Sequence, residues 1–123
     1  MASTESRGPK QIFAAFLWSM KGLRAAFHYE ASFRLETYLA IIVIPAGLWL
    51  GQGGVEKILL ILFPVLVLSA ELLNSAIEAV VDKVSPEFHE LAGRAKDMGS
   101  AAVFLLLVMV AVSWGLIFVP RLF

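Results

Sequence analysis

ELLNSAIEAVVD, residues 71 to 82, ends the second long apolar segment of this 123-residue chain. It follows a charge-free run, residues 58 to 70, and adds three carboxylates to the end of that run. On a helix of about 3.6 residues per turn, the three carboxylates and Asn74 share one face. A carboxylate at membrane depth is costly and is usually retained for a functional site, a proton relay or a buried partner. This acidic face is therefore our candidate active site.

The composition around this stretch is that of a small membrane protein. Hydrophobic residues make up 59% of the chain, and the mean hydropathy is +0.82. At about 1.5 Å per residue, three segments are long and apolar enough to cross about 30 Å of hydrocarbon. We predict an all-α membrane protein with one domain over residues 1–123. Its transmembrane helices are predicted over about 30–50, 56–82 and 98–119.

The segment before the first span has a different pattern. Apolar residues recur there at helical spacing, whereas Trp18 and Lys21 lie off the apolar stripe. The stripe consists of Phe13, Phe16, Leu17, Met20, Leu23 and Phe27. We therefore predict an amphipathic helix over about residues 10–28 that lies on the membrane surface.

The basic residues are distributed unevenly, although the net charge of the chain is zero. Five of the ten precede the apolar part of the first span, and three lie between the second and third spans. These eight residues are Arg7, Lys10, Lys21, Arg24, Arg34, Lys83, Arg94 and Lys96. By the positive-inside rule, the amino terminus and the loop over 83–97 face the cytoplasm. The absence of cysteine excludes disulfides and thiolate metal sites.

The depth of the carboxylates along the second span indicates a possible chemistry. If this helix starts near Ile58 on the outer side, Glu71 lies about 20 Å along it and Glu78 about 30 Å. Glu71 is then just inside the inner leaflet, where a base can reach the hydroxyl of a lipid. Glu78 is at the headgroup level, where a carboxylate can hold Mg²⁺ together with phosphate oxygens. The spacing is suited to phosphoryl transfer from a water-soluble donor to a lipid.

Other interpretations remain open from the residues alone. Glu and Asn inside a membrane often form hydrogen bonds between helices, which would make Glu71 and Asn74 structural or assembly residues. Such residues also serve ion or proton passage. In the loop, Lys96 is equally suited to anchoring the helix at the interface, and an isolated His89 is typical of a solvated loop.

Longer motifs distinguish between these interpretations. ExxNSAIExxVD over 71–82 and HELAGRAKDMGSAAV over 89–103 closely resemble the bacterial integral-membrane diacylglycerol kinases. KGLRAA over 21–26 and EASFR over 30–34 are similar to the amino-terminal motifs of that family. The resemblance extends from about residue 16 to residue 114 and includes the three-span layout.

The resemblance implies a lipid kinase that is unrelated to the soluble protein kinases. Such an enzyme transfers the γ-phosphate of MgATP to the primary hydroxyl of diacylglycerol, giving phosphatidic acid. The expected cofactor is Mg²⁺, and the expected partners are ATP, a membrane lipid and further copies of the chain in a homotrimeric bundle. The active sites are expected between subunits in the bacterial inner membrane, and no nucleic-acid partner is expected.

The resemblance also implies roles residue by residue. Glu71 matches the general base, Asn74 the polar residue beside it, and Glu30 and Glu78 the metal-binding pair. The positions that match nucleotide contacts are Glu30, Glu78, Glu87, His89, Lys96 and Asp97. The positions that match contacts with the lipid are Arg24, Ala31, Ser32, Phe33, Arg34, Leu35, Glu71 and Ser100.

Two rival functions belong to different classes. A related branch of the same fold phosphorylates undecaprenol, but Gly93-Arg94 and Gly99-Ser100 are more similar to the diacylglycerol branch. The other rival is a non-enzymatic channel or assembly subunit. An enzyme needs acidic residues at the cytoplasmic mouth and a basic loop to hold nucleotide, and this chain has both. We therefore predict an ATP-dependent diacylglycerol kinase.

Overall fold

The structure is a computed structural model and describes residues 8 to 123. Nearly all of these residues are helical. The helices are α1 (Pro9–Tyr29), α2 (Ala31–Leu50), α3 (Gly53–Val84) and α4 (Glu90–Leu122). The prediction of an all-helical fold is thus confirmed. Arg7, one of the basic residues counted for the topology, lies outside the described residues.

Three helices, α2, α3 and α4, are long and apolar enough to cross a membrane. The predicted spans lie on these helices, but α3 and α4 continue beyond them, and α4 begins at Glu90 rather than near Met98. Hydropathy marks only the part of a helix that matches hydrocarbon, whereas the backbone hydrogen bonds continue into the polar region. The single domain over 1–123 stays a prediction.

The chain turns between α1 and α2 at Glu30, whose backbone is extended (φ −109°, ψ 107°). Arg34 stabilises this corner, because its Nη1 donates to the carbonyl oxygens of Phe27 at 3.0 Å and His28 at 2.7 Å. The last carbonyls of a helix have no partner within it, and Arg34 satisfies two of them. The corner thereby determines where Glu30 stands at the start of α2.

At the opposite end of the bundle, α2 and α3 approach each other closely. Gly47 of α2 faces the fully buried Leu60 of α3, and a Cβ at Gly47 would lie 2.9 Å from that of Leu60. At the same end, Arg121 Nη2 lies 2.5 Å from Glu56 Oε2. Glu56 Oε1 also accepts from the backbone N–H of Gln52 at 2.9 Å. These contacts join the end of α4 to the turn between α2 and α3.

α3 is the central element and packs most extensively against α4, then against α2. Among residues 8 to 123, few apolar side chains are buried: Ala26, Phe33, Ala40, Leu60, Val67 and Val103. Many larger ones face outward, among them Ile42 at 68% and Leu105 at 65% exposure. Surfaces of this kind are covered by lipid or by another protein chain.

Candidate active site

A cleft of about 390 Å³ opens between α2, α3 and α4. Its polar wall consists of Glu30, Ser32, Glu36, Glu71, Asn74, Glu78 and Ser100. Its apolar wall consists of Val103, Phe104 and Leu107 of α4. Placing a carboxyl group in an apolar bundle costs free energy, and such groups are usually kept for an ion pair or for a functional role. A cleft that contains four of them is therefore a candidate functional site.

α3 supplies the centre of the polar wall because of its helical repeat. Glu71, Asn74 and Glu78 are three and four positions apart, so they project from the same side of the helix. Glu71 and Asn74 are each only 7% exposed, and Asn74 Nδ2 donates to Glu78 Oε1 at 3.4 Å. The acidic face predicted from the sequence therefore reaches the cleft through these three residues.

α2 adds a carboxyl group to which the sequence analysis gave no role. Glu36 lines the cleft, and its carboxyl group neighbours that of Glu71. One signal for it existed in the sequence, since Glu36 follows Ser32 by one helical turn and must share its face of α2. The meeting of Glu36 with Glu71 depends on how α2 packs against α3.

The last carboxylate of the acidic face, Asp82, is engaged elsewhere. Its Oδ1 lies 2.8 Å from Lys96 Nζ of α4. Both side chains are partly exposed, at 63% for Asp82 and 40% for Lys96. This pair links the end of α3 to the start of α4, and it brings one of the predicted nucleotide residues next to the acidic face.

The other predicted nucleotide residues outside the cleft lie on the loop before α4 and in its first turns. Glu87, His89 and Asp97 are exposed, and the structure does not bring them into the cleft. His89 caps α4, because its Nδ1 accepts from the backbone N–H of Leu91 at 3.1 Å. A capping side chain satisfies an N–H that has no partner within the helix, so His89 also has a structural role.

The predicted lipid residues Ser32 and Ser100 line the cleft from α2 and α4, and Glu71 lies between them on α3. Phe33 instead belongs to the core, since it is only 4% exposed. Its position follows from the helical repeat, because residues adjacent in sequence point to different sides of a helix. Of the segment over 31–35, which was predicted to border the lipid, only Ser32 lines the cleft.

The rest of that predicted set is dispersed. Arg34 is bonded to carbonyl oxygens at the α1–α2 corner, and Ala31 and Leu35 are exposed. Arg24 lines a separate hollow on α1. Within one chain, these four residues do not meet the acidic cleft, and a direct contact with the lipid would need the membrane surface or a neighbouring subunit.

The cleft contains carboxylate groups of the kind that bind a magnesium ion together with a nucleotide. Glu30 and Glu78 both line it, while no group of three or more His, Asp or Glu among residues 8 to 123 is arranged to hold a metal unaided. Mg²⁺ is commonly held by one or two carboxylates, with substrate phosphates and water completing its shell. Two carboxylates therefore fit an ion that binds together with phosphate.

Proteins of known function resemble this chain over most of its length. A family model described as prokaryotic diacylglycerol kinase matches residues 17–118. The chain belongs to the prokaryotic diacylglycerol kinase family. This membership confirms the resemblance seen in the motifs, and together with the three apolar helices it indicates a multi-pass membrane protein.

Individual diacylglycerol kinases align with nearly the whole chain. The chain is 51% identical to diacylglycerol kinase of Haemophilus influenzae over 111 residues, which cover 90% of this chain and 94% of the relative. Identity to the Pseudomonas aeruginosa diacylglycerol kinase is 46% over 110 residues, covering 89% of each chain. Identity to the Escherichia coli diacylglycerol kinase is 44% over 112 residues, which cover 91% of this chain and 92% of the relative.

Proposed function

We propose that the cleft between α2, α3 and α4 is where this diacylglycerol kinase transfers the γ-phosphate of MgATP to the primary hydroxyl of diacylglycerol. Family membership makes the chain an ATP-dependent lipid kinase. The observation that locates the reaction is that the buried Glu71 lines the same cleft as Glu30 and Glu78. A base and two candidate metal ligands in one cleft are what phosphoryl transfer requires.

In this proposal Glu71 accepts the proton of the lipid hydroxyl. The hydroxyl oxygen then forms a bond to the γ-phosphorus while the bond between that phosphorus and ADP breaks, giving phosphatidic acid. Asn74 holds the carboxylate of Glu78 through its amide, and Glu30 faces the same cleft. The metal, when bound, neutralises phosphate charge. Val103, Phe104 and Leu107 would keep water away from the reacting groups.

Lys96 is the proposed phosphate contact, because an ammonium group attracts phosphate as a point charge. Its present partner is the exposed Asp82, so nucleotide binding would have to share or exchange this ion pair. Glu87 and His89 of the neighbouring loop and Asp97 of α4 are proposed to complete the nucleotide site. Their exposure leaves them accessible to a water-soluble substrate.

We also propose a homotrimer with active sites between subunits. Support comes from the many apolar side chains that a single chain leaves exposed and from a cleft that one chain leaves open. α1 is proposed to lie on the cytoplasmic surface of the bacterial inner membrane, with the segment over 83–97, which connects α3 to α4, on the same side. Its exposed Phe13 and Phe16 suit an interface with lipid.

The test is a phosphorylation assay on the purified chain in mixed micelles, with diacylglycerol and undecaprenol offered separately. We expect phosphate transfer to diacylglycerol, dependence on Mg²⁺, and little transfer to undecaprenol. A preference for undecaprenol would assign the chain to the related branch. An assembled protein that phosphorylates neither lipid would refute the proposed activity.

A further inference from the structure

Gly99 of α4 is buried and faces Asn74 of α3. A Cβ added at Gly99 would overlap the Asn74 Oδ1 atom. It would also lie 3.2 Å from Asn74 Cγ but 3.7 Å from Asn74 Cα. The backbones are therefore at an ordinary distance for a methyl group, and only the amide end of Asn74 occupies the space that a methyl group would need.

The Asn74 amide has two ends with different surroundings. Nδ2 donates to Glu78 Oε1, whereas Oδ1 is buried and has no hydrogen-bond partner among residues 8 to 123. Glu78 Oε1 accepts this hydrogen bond, so the NH₂ end of the amide is the one that faces Glu78. The oxygen is consequently directed towards α4, at the place where Gly99 has no side chain.

We infer that Gly99 is a positioning residue, which acts through the Asn74 amide on the carboxylate of Glu78. The missing side chain leaves room for Oδ1 between α3 and α4, and this room keeps Nδ2 directed at Glu78. The expected effect on metal binding rests on the proposed function, in which Glu78 is a metal ligand. Gly99 itself does not line the proposed cleft.

A methyl group at position 99 should displace the Asn74 amide rather than separate the helices. The overlap involves the terminal atoms of a side chain that can rotate, and the backbone contact is not tight. Rotation moves Nδ2 away from Glu78 and leaves this carboxylate free to turn. The fold and the assembly should persist, while the geometry offered to the metal changes.

The experiment compares Gly99→Ala with Gly115→Ala in the full-length assembled protein. Gly115 is the matched control, because it lies on the same helix and a Cβ there would meet nothing within 4 Å. Binding of Mn²⁺ in the presence of a non-hydrolysable ATP analogue is measured by calorimetry. Because the hydrogen bond from Asn74 to Glu78 is long, at 3.4 Å, we expect affinity to fall by up to about tenfold in Gly99→Ala. The KM for MgATP should rise, with the control unchanged.

Two further measurements separate positioning from general destabilisation. Asn74→Ala removes the overlapping amide, so adding Gly99→Ala to Asn74→Ala should cause no further loss of affinity. The side-chain amide NMR signal of Asn74, assigned by its loss in Asn74→Ala, should shift in Gly99→Ala but not in Gly115→Ala. Additive losses in the double variant, or an unshifted amide signal, would overturn the inference.

The two proposals fail in different ways. If Glu78→Gln binds Mn²⁺ and nucleotide as tightly as the unmodified chain, the metal role of Glu78 is wrong, while a shifted Asn74 signal still supports the positioning by Gly99. If Glu78→Gln weakens binding but Gly99→Ala does not, the metal role stands and the positioning role is wrong.

Discussion

Replacement of Glu71 by glutamine tests the central assignment with the smallest structural change. Glu71 is only 7% exposed and neighbours Glu36 in the cleft. Glutamine has nearly the same volume, so no cavity forms, and its amide can donate to the Glu36 carboxyl. We expect the free energy of unfolding to change by no more than about 1 kcal/mol, the net contribution of one hydrogen bond.

The effect on turnover should be far larger. Glutamine cannot accept the proton of an alcohol, and a positioned general base contributes about 10²- to 10⁴-fold to rate. At 1.36 kcal/mol per tenfold change, this loss raises the activation barrier by about 3–5 kcal/mol. Binding of MgATP should be nearly unchanged, because Glu71 is not among the proposed nucleotide contacts.

The assay measures nucleotide affinity, oligomer mass and turnover on one preparation of Glu71→Gln. Ser113→Ala is a suitable control, since Ser113 is also buried but donates only to the carbonyl oxygen of Val110 in its own helix. A well-assembled Glu71→Gln protein that keeps most of its turnover would refute the base assignment. Activity lost only in proportion to lost oligomer would show that Glu71 is a packing residue.

Three further predictions follow from the contacts. Glu30→Gln or Glu78→Gln should raise the Mg²⁺ concentration needed for half-maximal turnover while leaving membrane insertion intact, and unchanged Mg²⁺ dependence in both removes them from the metal site. Mixing inactive Glu71→Gln and Glu30→Gln subunits should restore partial activity if each active site is built from two subunits. Absence of recovery for every inactive pair, or full activity of a monomer in mild detergent, would contradict active sites shared between subunits. Arg121→Ala should lower the melting temperature without changing KM by removing the pair with Glu56, whereas an unchanged melting temperature would show that the pair is not stabilising.

The candidate site was only partly predictable from the residue order. Glu71, Asn74 and Glu78 were assigned to one face because they belong to a single helix, and helical periodicity requires no knowledge of other elements. Glu36 was missed, because its meeting with Glu71 depends on the packing of α2 on α3. The lipid role of Arg34 stays a prediction, and its partners within the chain are carbonyl oxygens across a corner that no local pattern specifies.

The sequence by itself determined the membrane class, the helical spans and the family. Hydropathy depends on consecutive residues, and long motifs depend only on residue order, so neither requires a folded chain. Tertiary structure alone decided which faces of different helices meet. It placed Glu30 and Ser100 on one cleft and brought Gly99 against Asn74. The physical reason is that helix packing is decided by the shape of side chains on both partners, down to a single missing methyl group.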